Sequence, residues 1–143
     1  MVTVESNRYE ETLDLGRRIG RIVKPGDIIS LDGDLGAGKT VLTRGIAEGM
    51  GLDPQDVMSP TFAIVNEYEK DGCVPLFHFD TYRLQDADDF LACGLDEYFY
   101  RGGVCVIEWG NVIADILPED TKEIEITGVG DKRIIKIEGI ELC

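Results

Sequence analysis

Gly33-Asp34-Leu35-Gly36-Ala37-Gly38-Lys39-Thr40 follows the pattern G-x-x-x-x-G-K-[S/T]. It lies between an apolar run, Ile28-Ile29-Ser30-Leu31, and an amphipathic segment from Thr40 to about Gly51. Strand, glycine-rich loop and helix in that order are the setting a phosphate-binding loop requires. Glycines 33, 36 and 38 lack a Cβ, so the backbone is able to turn with positive φ and bring N–H groups up to phosphate oxygens. The start of the helix adds unpaired donors and a partial positive charge. Lys39 then sets an ammonium between the β- and γ-phosphates, and the Thr40 hydroxyl ligates Mg²⁺. A plain glycine-rich turn before a helix is the alternative, and the two matching flanks weigh against it.

Upstream of the loop, Val2-Thr3-Val4 reads as a short edge strand. A helix is expected from about Arg8 to Val23, where Tyr9, Leu13, Gly16, Gly20 and Val23 line one face beside Leu15, Ile19 and Ile22, and Asn7 with Glu10 resembles a capping box. Each of Gly16 and Gly20 weakens that helix by about 1 kcal/mol relative to Ala, which argues for close packing against another element. Pro25-Gly26 ends the helix and opens the central strand, Asp27 to Asp32.

Downstream, Leu42, Ile46 and Met50 form one apolar stripe on the second helix. After a turn at Asp53-Pro54-Gln55-Asp56 and the segment Ser59-Pro60-Thr61-Phe62, a strand is expected from Phe62 to Glu69. Lys70-Asp71-Gly72 turns it back into a second strand, Val74 to Phe79, which delivers Asp80 at its tip. A broken helix from about Asp86 to Tyr100 is interrupted by Gly94 and closed by Gly102-Gly103. Val104-Cys105-Val106-Ile107 is a continuous apolar run, consistent with a buried parallel strand, and it ends in Glu108 and Trp109. A short helix over Asn111 to Leu117 stops at Pro118, and the alternating segments Lys122 to Thr127 and Arg133 to Glu138 form a hairpin with one wet face.

The chain has 143 residues, of which 43% are apolar and 29% charged, as expected of one soluble globular domain. A net charge of −14 argues against DNA, or RNA directly, as the main partner, because neutralising phosphates takes concentrated Lys and Arg. No apolar run reaches the length of a membrane span and no secretory leader opens the sequence, so the expected location is cytoplasmic. Arg17, Arg21 and Lys24, with Arg18 beside them, are either a solvated face near a helix C-terminus or a docking patch. The four cysteines form no C-x-x-C pair, and Cys105 reads as a small core residue.

Phosphoryl transfer needs a metal ligand, a group that orients the nucleophile and something that holds charge. Asp80 suits the metal, with a helix N-cap as the weaker alternative. Glu108 suits orientation or deprotonation of an attacking water, or else a cap on the helix that follows. Thr61 has the chemistry of a switch residue meeting Mg²⁺, or belongs to a simple turn. Arg83 fits a phosphate contact or a surface ion pair, and His78, the sole histidine, fits a packed and hydrogen-bonded imidazole better than a catalytic one. No Asn-Lys-x-Asp segment is present for guanine, so ATP is the expected nucleotide.

Taken together, the phosphate loop, Ser59-Pro60-Thr61-Phe62 running into Val65-Asn66-Glu67-Tyr68, His78-Phe79-Asp80-Thr81-Tyr82-Arg83-Leu84, and Ile107-Glu108-Trp109-Gly110 closely resemble the TsaE (YjeE) family. The four blocks occur in the family's order and spacing over about Asp27 to Pro118. The resemblance implies an α/β fold, a single P-loop NTPase domain over residues 1–143 with a mixed, mostly parallel sheet flanked by helices and a C-terminal β-hairpin. It implies a magnesium-dependent ATPase needed for tRNA threonylcarbamoyladenosine, slow alone, that resets a TsaB–TsaD-type heterodimer between turnovers and meets tRNA only indirectly. By motif position Asp34, Leu35, Gly36, Ala37, Gly38, Lys39, Thr40, Val41 and Trp109 would bind the nucleotide. Thr40, Thr61, Asp80 and Glu108 would hold the metal, with Glu108, Lys39 and Asp80 catalytic. Val41 and Thr81 depart from the family's usual residues, at positions for which the resemblance gives no separate chemical role.

Overall fold

The computed structural model describes residues 1–33, 38–60 and 64–142. The expected nucleotide ligands Asp34, Leu35, Gly36 and Ala37 and the expected switch residue Thr61 lie outside the described residues.

Among the described residues the strands form one seven-stranded sheet. In chain order they are β1 (Val2–Ser6), β2 (Ile28–Gly33), β3 (Val65–Tyr68), β4 (Leu76–Asp80), β5 (Val104–Glu108), β6 (Lys122–Val129) and β7 (Lys132–Glu138), and across the sheet they run β1-β7-β6-β2-β5-β4-β3. The pairs β2–β5, β2–β6 and β4–β5 are parallel; β3–β4, β6–β7 and β1–β7 are antiparallel. Thus β1, β6, β2, β5 and β4 point one way and β7 and β3 the other, which gives the expected mixed sheet with a C-terminal hairpin and a parallel centre, β6-β2-β5-β4. β1, as expected, is an edge strand, and β3 forms the opposite edge.

Helices cover both faces. Against one face lie α1 (Tyr9–Ile22) and α2 (Lys39–Gly49), whose Leu15, Ile19, Leu42 and Ile46 share a core with Ile29 and Leu31 of β2, Val104 and Val106 of β5 and Ile124 and Ile126 of β6. Against the other lie α3 (Ala87–Ala92) and the 3-10 turns Leu95–Tyr100 and Gly110–Ile116, packing Phe90, Leu95 and Ile113 on Ile28, Phe77, Phe79, Cys105 and Ile107. Successive strand residues alternate between the two cores, as the two-residue period demands.

The glycines of α1 find their explanation across the helix pair. A methyl on Gly16 would run into the carbonyl oxygen of Leu42 and the Cα of Gly45, and one on Gly20 into the carbonyl of Ile46 and the Cα of Gly49. The contact is reciprocal, since Gly45 and Gly49 would meet the carbonyls of Leu13 and Arg17. Arg17 also pairs with Asp14 and reaches Glu48 of α2 at 2.9 Å, so this cation is docked on its neighbour, whereas Arg18, Arg21 and Lys24 stay exposed.

Several local expectations shift. The residue at the N-cap of α1 is Arg8, and Asn7 donates its backbone N–H to Glu11 at 2.8 Å, so the Asn7–Glu10 capping box is replaced by a contact one residue on. β3 starts at Val65 because Ile64 adopts a left-handed φ of 68°, its N–H donating to Pro60 and its carbonyl accepting from Asp80. The broken helix resolves into α3 and a 3-10 turn on either side of Gly94, itself left-handed at φ 71°. Cys105 is buried as expected, and burial pushes its thiol up to about 12. Among the described residues no helix is long and apolar enough to cross a membrane.

Candidate active site

β2, β4 and β5 end together at one edge of the sheet, where open α/β folds place their ligands. Parallel registry sets Glu108 opposite both Leu31 of β2 and Asp80 of β4. The two carboxylates therefore stand side by side, both buried, on the face covered by α1 and α2.

The cation the chain supplies is Lys39, first residue of α2 and only 5% exposed. Its Nζ donates to the Gly33 carbonyl at 3.0 Å and lies 4.1 Å from the centre of the Trp109 ring. Gly38 before it is left-handed at φ 99°, a conformation that a side chain would strain. No side chain among the described residues caps α2, and its first turn carries no acidic residue, which leaves the described helix start suited to an anion. Thr40 is half-buried on the next position.

Trp109 sits at a left-handed φ of 62°, its N–H donating to Leu31 at 3.0 Å and its ring against Tyr82, 5.0 Å between centroids. This turn is pinned from two sides. Thr81, fully buried, donates its N–H to the Glu108 carbonyl, and its hydroxyl stands 2.7 Å from the Trp109 carbonyl. Asp32 at the end of β2 accepts from the N–H of Asn111 at 3.2 Å. Neither Thr81 nor Asp32 stood out in the sequence, because their role depends on strand neighbours far apart in the chain.

The structural alternatives for the two acids separate. Asp80 accepts from the N–H of Tyr82 at 2.9 Å, a local turn contact that occupies one carboxylate oxygen. Glu108 caps nothing; Trp109 holds the N-cap position, and Glu108 Oε2 meets His78 Nε2 at 2.5 Å. His78 is fully buried and hydrogen-bonded, as its place in an apolar strand suggested.

Beside the start of α2 opens a cleft of about 370 Å³ lined by Asn7, Arg8, Tyr9, Thr12, Gly38, Val41 and Arg133, among others. It joins the N-terminus of α1 to the β6–β7 turn. Arg133 and Tyr9 left no trace of this position in the sequence, since the β2–β6 and β6–β7 pairings carry residue 133, and the placement of α1 carries residue 9, to the start of α2.

As a donor set, Thr40, Asp80 and Glu108 offer hard oxygens only, which suits Mg²⁺. Among the described residues no group of three or more His, Cys, Asp or Glu forms a ready-made metal cage. A magnesium ion that takes most of its ligands from phosphate and water needs none.

The family model for "Threonylcarbamoyl adenosine biosynthesis protein TsaE" matches residues 6–135. The tRNA threonylcarbamoyladenosine biosynthesis protein TsaE of Bacillus subtilis is 48% identical over 122 residues, covering 85% of this chain and 75% of that protein. Its counterpart of the same name in Treponema pallidum is 39% identical over 126 residues, covering 88% and 91%. The crystal structure of Bacillus subtilis YdiB superposes with a TM-score of 0.75 at 38% identity, over 94% of this chain and 82% of that one. With nearly its whole length under one family model and its sheet matched by a solved relative, this chain belongs to the TsaE family.

Proposed function

We propose that residues 1–143 act as one P-loop ATPase domain serving tRNA threonylcarbamoyladenosine formation, resetting a TsaB–TsaD-type heterodimer between turnovers. The observation that carries this reading is a buried ammonium, Lys39, at the start of α2 and over the ring of Trp109, whose chain neighbour Glu108 stands beside a second buried carboxylate, Asp80. Phosphates bind at the Gly38–Lys39 helix start, with Asp34 to Val41 around them, and the nucleoside extends into the cleft between Tyr9, Val41 and Arg133.

Lys39 leaves the Gly33 carbonyl for the β- and γ-phosphate oxygens, where its charge offsets that developing in the transition state. Glu108 orients a water and takes its proton as the new P–O bond forms and the bond to ADP breaks, giving ADP and phosphate. Thr40, Asp80 and Glu108, with Thr61, would hold Mg²⁺, which would supply charge neutralisation. Trp109 packs over the phosphate-binding lysine. At a net charge of −14 the protein meets tRNA through its partner, and it works in the cytoplasm without membrane or DNA contact.

The test is steady-state phosphate release from ATP, with and without the heterodimer, beside Lys39→Ala. Stimulation that disappears in the variant is the expected result. Tight nucleotide binding with no stimulated release would replace hydrolysis by a switch that acts through occupancy.

A further inference from the structure

Glu108 does not stand alone. Its Oε2 meets His78 Nε2 at 2.5 Å, and His78 Nδ1 lies 3.3 Å from the Tyr68 hydroxyl. That hydroxyl accepts from the Met58 N–H at 3.1 Å and from Asn66 Nδ2 at 3.4 Å, and it lies 3.1 Å from the Met58 carbonyl. The chain runs inside the protein, with His78 at 0%, Glu108 at 4% and Tyr68 at 7% exposure. It crosses from β5 through β4 to β3 and ends on the segment before Ser59-Pro60.

Registry explains the geometry. Asp80 faces Glu108 across the β4–β5 pair, and His78, two residues earlier, pairs with Val106 on the same face. The imidazole thus reaches Glu108 diagonally. Against a carboxylate Nε2 must donate, which leaves Nδ1 to pair with Tyr68. A buried carboxylate oxygen held this way has one orientation, and that fixes the other oxygen, Oε1, with it.

We propose that His78 is the positioning residue for Glu108, and that Tyr68 carries that positioning to the backbone of Met58. The inference rests on Glu108 acting in hydrolysis. It gives the sole histidine of the chain a role in turnover without contact to substrate.

The test compares His78→Phe, His78→Gln and Tyr68→Phe in ATP turnover with the partner heterodimer present. His78→Phe should lower kcat by about 10- to 100-fold, the range typical of a lost orienting partner, with KM for ATP held within about twofold. His78→Gln, whose amide nitrogen reaches the position of Nε2, should restore most of the loss. Added to Glu108→Gln, His78→Phe should cost nothing more, because a residue acting through Glu108 has nothing left to position. In ¹⁵N-histidine spectra of the full chain, Glu108→Gln should move the Nε2 resonance and Tyr68→Phe the Nδ1 resonance.

Unchanged kcat in His78→Phe, kcat and affinity lost together without rescue by Gln, a full additive loss in the double variant, or imidazole resonances indifferent to Glu108 would each overturn the proposal. A wild-type chain that turns over no ATP sinks the hydrolytic reading and this one with it. Wild-type turnover undiminished in His78→Phe sinks this one alone.

Discussion

Replacing Gly16 with Ala sets two known effects against each other. In an exposed helix the change stabilises by about 1 kcal/mol through backbone entropy. Here the new methyl meets the Leu42 carbonyl and the Gly45 Cα, both backbone atoms that no rotamer change moves aside. The helices must part, and a gap of roughly 0.5–1 Å forfeits a quarter to a half of the dispersion at each contact they share. Overpacking of this kind costs about 1–3 kcal/mol, and the upper end applies because both sides are main chain. The net expectation is a loss of about 1–2 kcal/mol, which lowers the urea midpoint by roughly 0.5–1 M at an m-value near 2 kcal/mol/M. Gly20→Ala, acting on Ile46 and Gly49 of the same helix, should cost less in the Gly16→Ala background than alone, since one separation relieves both clashes. Equilibrium urea unfolding by circular dichroism reads all three variants. A Gly16→Ala protein as stable as the wild type, or more so, would refute the backbone-contact argument, and strict additivity would refute separation of the helices as units.

Three further outcomes follow from the site and the core. Lys39→Met removes a charged hydrogen bond and should weaken ATP binding by about 10- to 100-fold; because the Lys39 ammonium lies over the sole tryptophan, ATP should change the emission of the wild type and not of the variant. Thr81→Val keeps the shape but removes the hydroxyl beside the Trp109 carbonyl, and should lower thermal stability by about 1 kcal/mol with a larger relative loss of turnover. Cys105 has a folded-state value raised to about 12 by burial against an ordinary 9.0. Its contribution is fully present below pH 9 and is lost between pH 9 and 12, so the stability of Cys105→Ala relative to wild type should rise across that window and stay flat below it.

The core of the fold was open to sequence reading because its signals are local. Ile28 to Leu31, the glycine pattern and the apolar stripe of α2 each declare an element, and Val104 to Ile107 has the unbroken hydrophobicity of a strand buried on both faces. Asp80 and Glu108 were visible as acids at strand ends, yet their adjacency required the β4–β5 register. The helix-packing role of Gly16 and Gly20 showed as a cost without a partner; Gly45 and Gly49 supplied it. Tyr9 and Arg133 beside Gly38, Thr81 under Trp109, and the link from His78 to Glu108 were hidden for one physical reason. Each joins residues distant in sequence through strand pairing or helix packing, which leaves no periodic trace in the chain.

The position of β2 bears on how the protein assembles. It carries the loop that leads to Lys39, and both its neighbours, β5 and β6, belong to the second half of the sequence. Pairing it closes long loops before any ladder bond is gained, which makes for high contact order and slow formation. During synthesis the residues of α1 and α2, which shelter Ile29 and Leu31 in the finished fold, emerge before β5, whereas the face of Ile28 waits for Cys105, Ile107 and Ile113. The candidate site, built from the ends of β2, β4 and β5, therefore comes together late, and a ribosome-bound chain that has not yet released β5 has its lysine but lacks its glutamate.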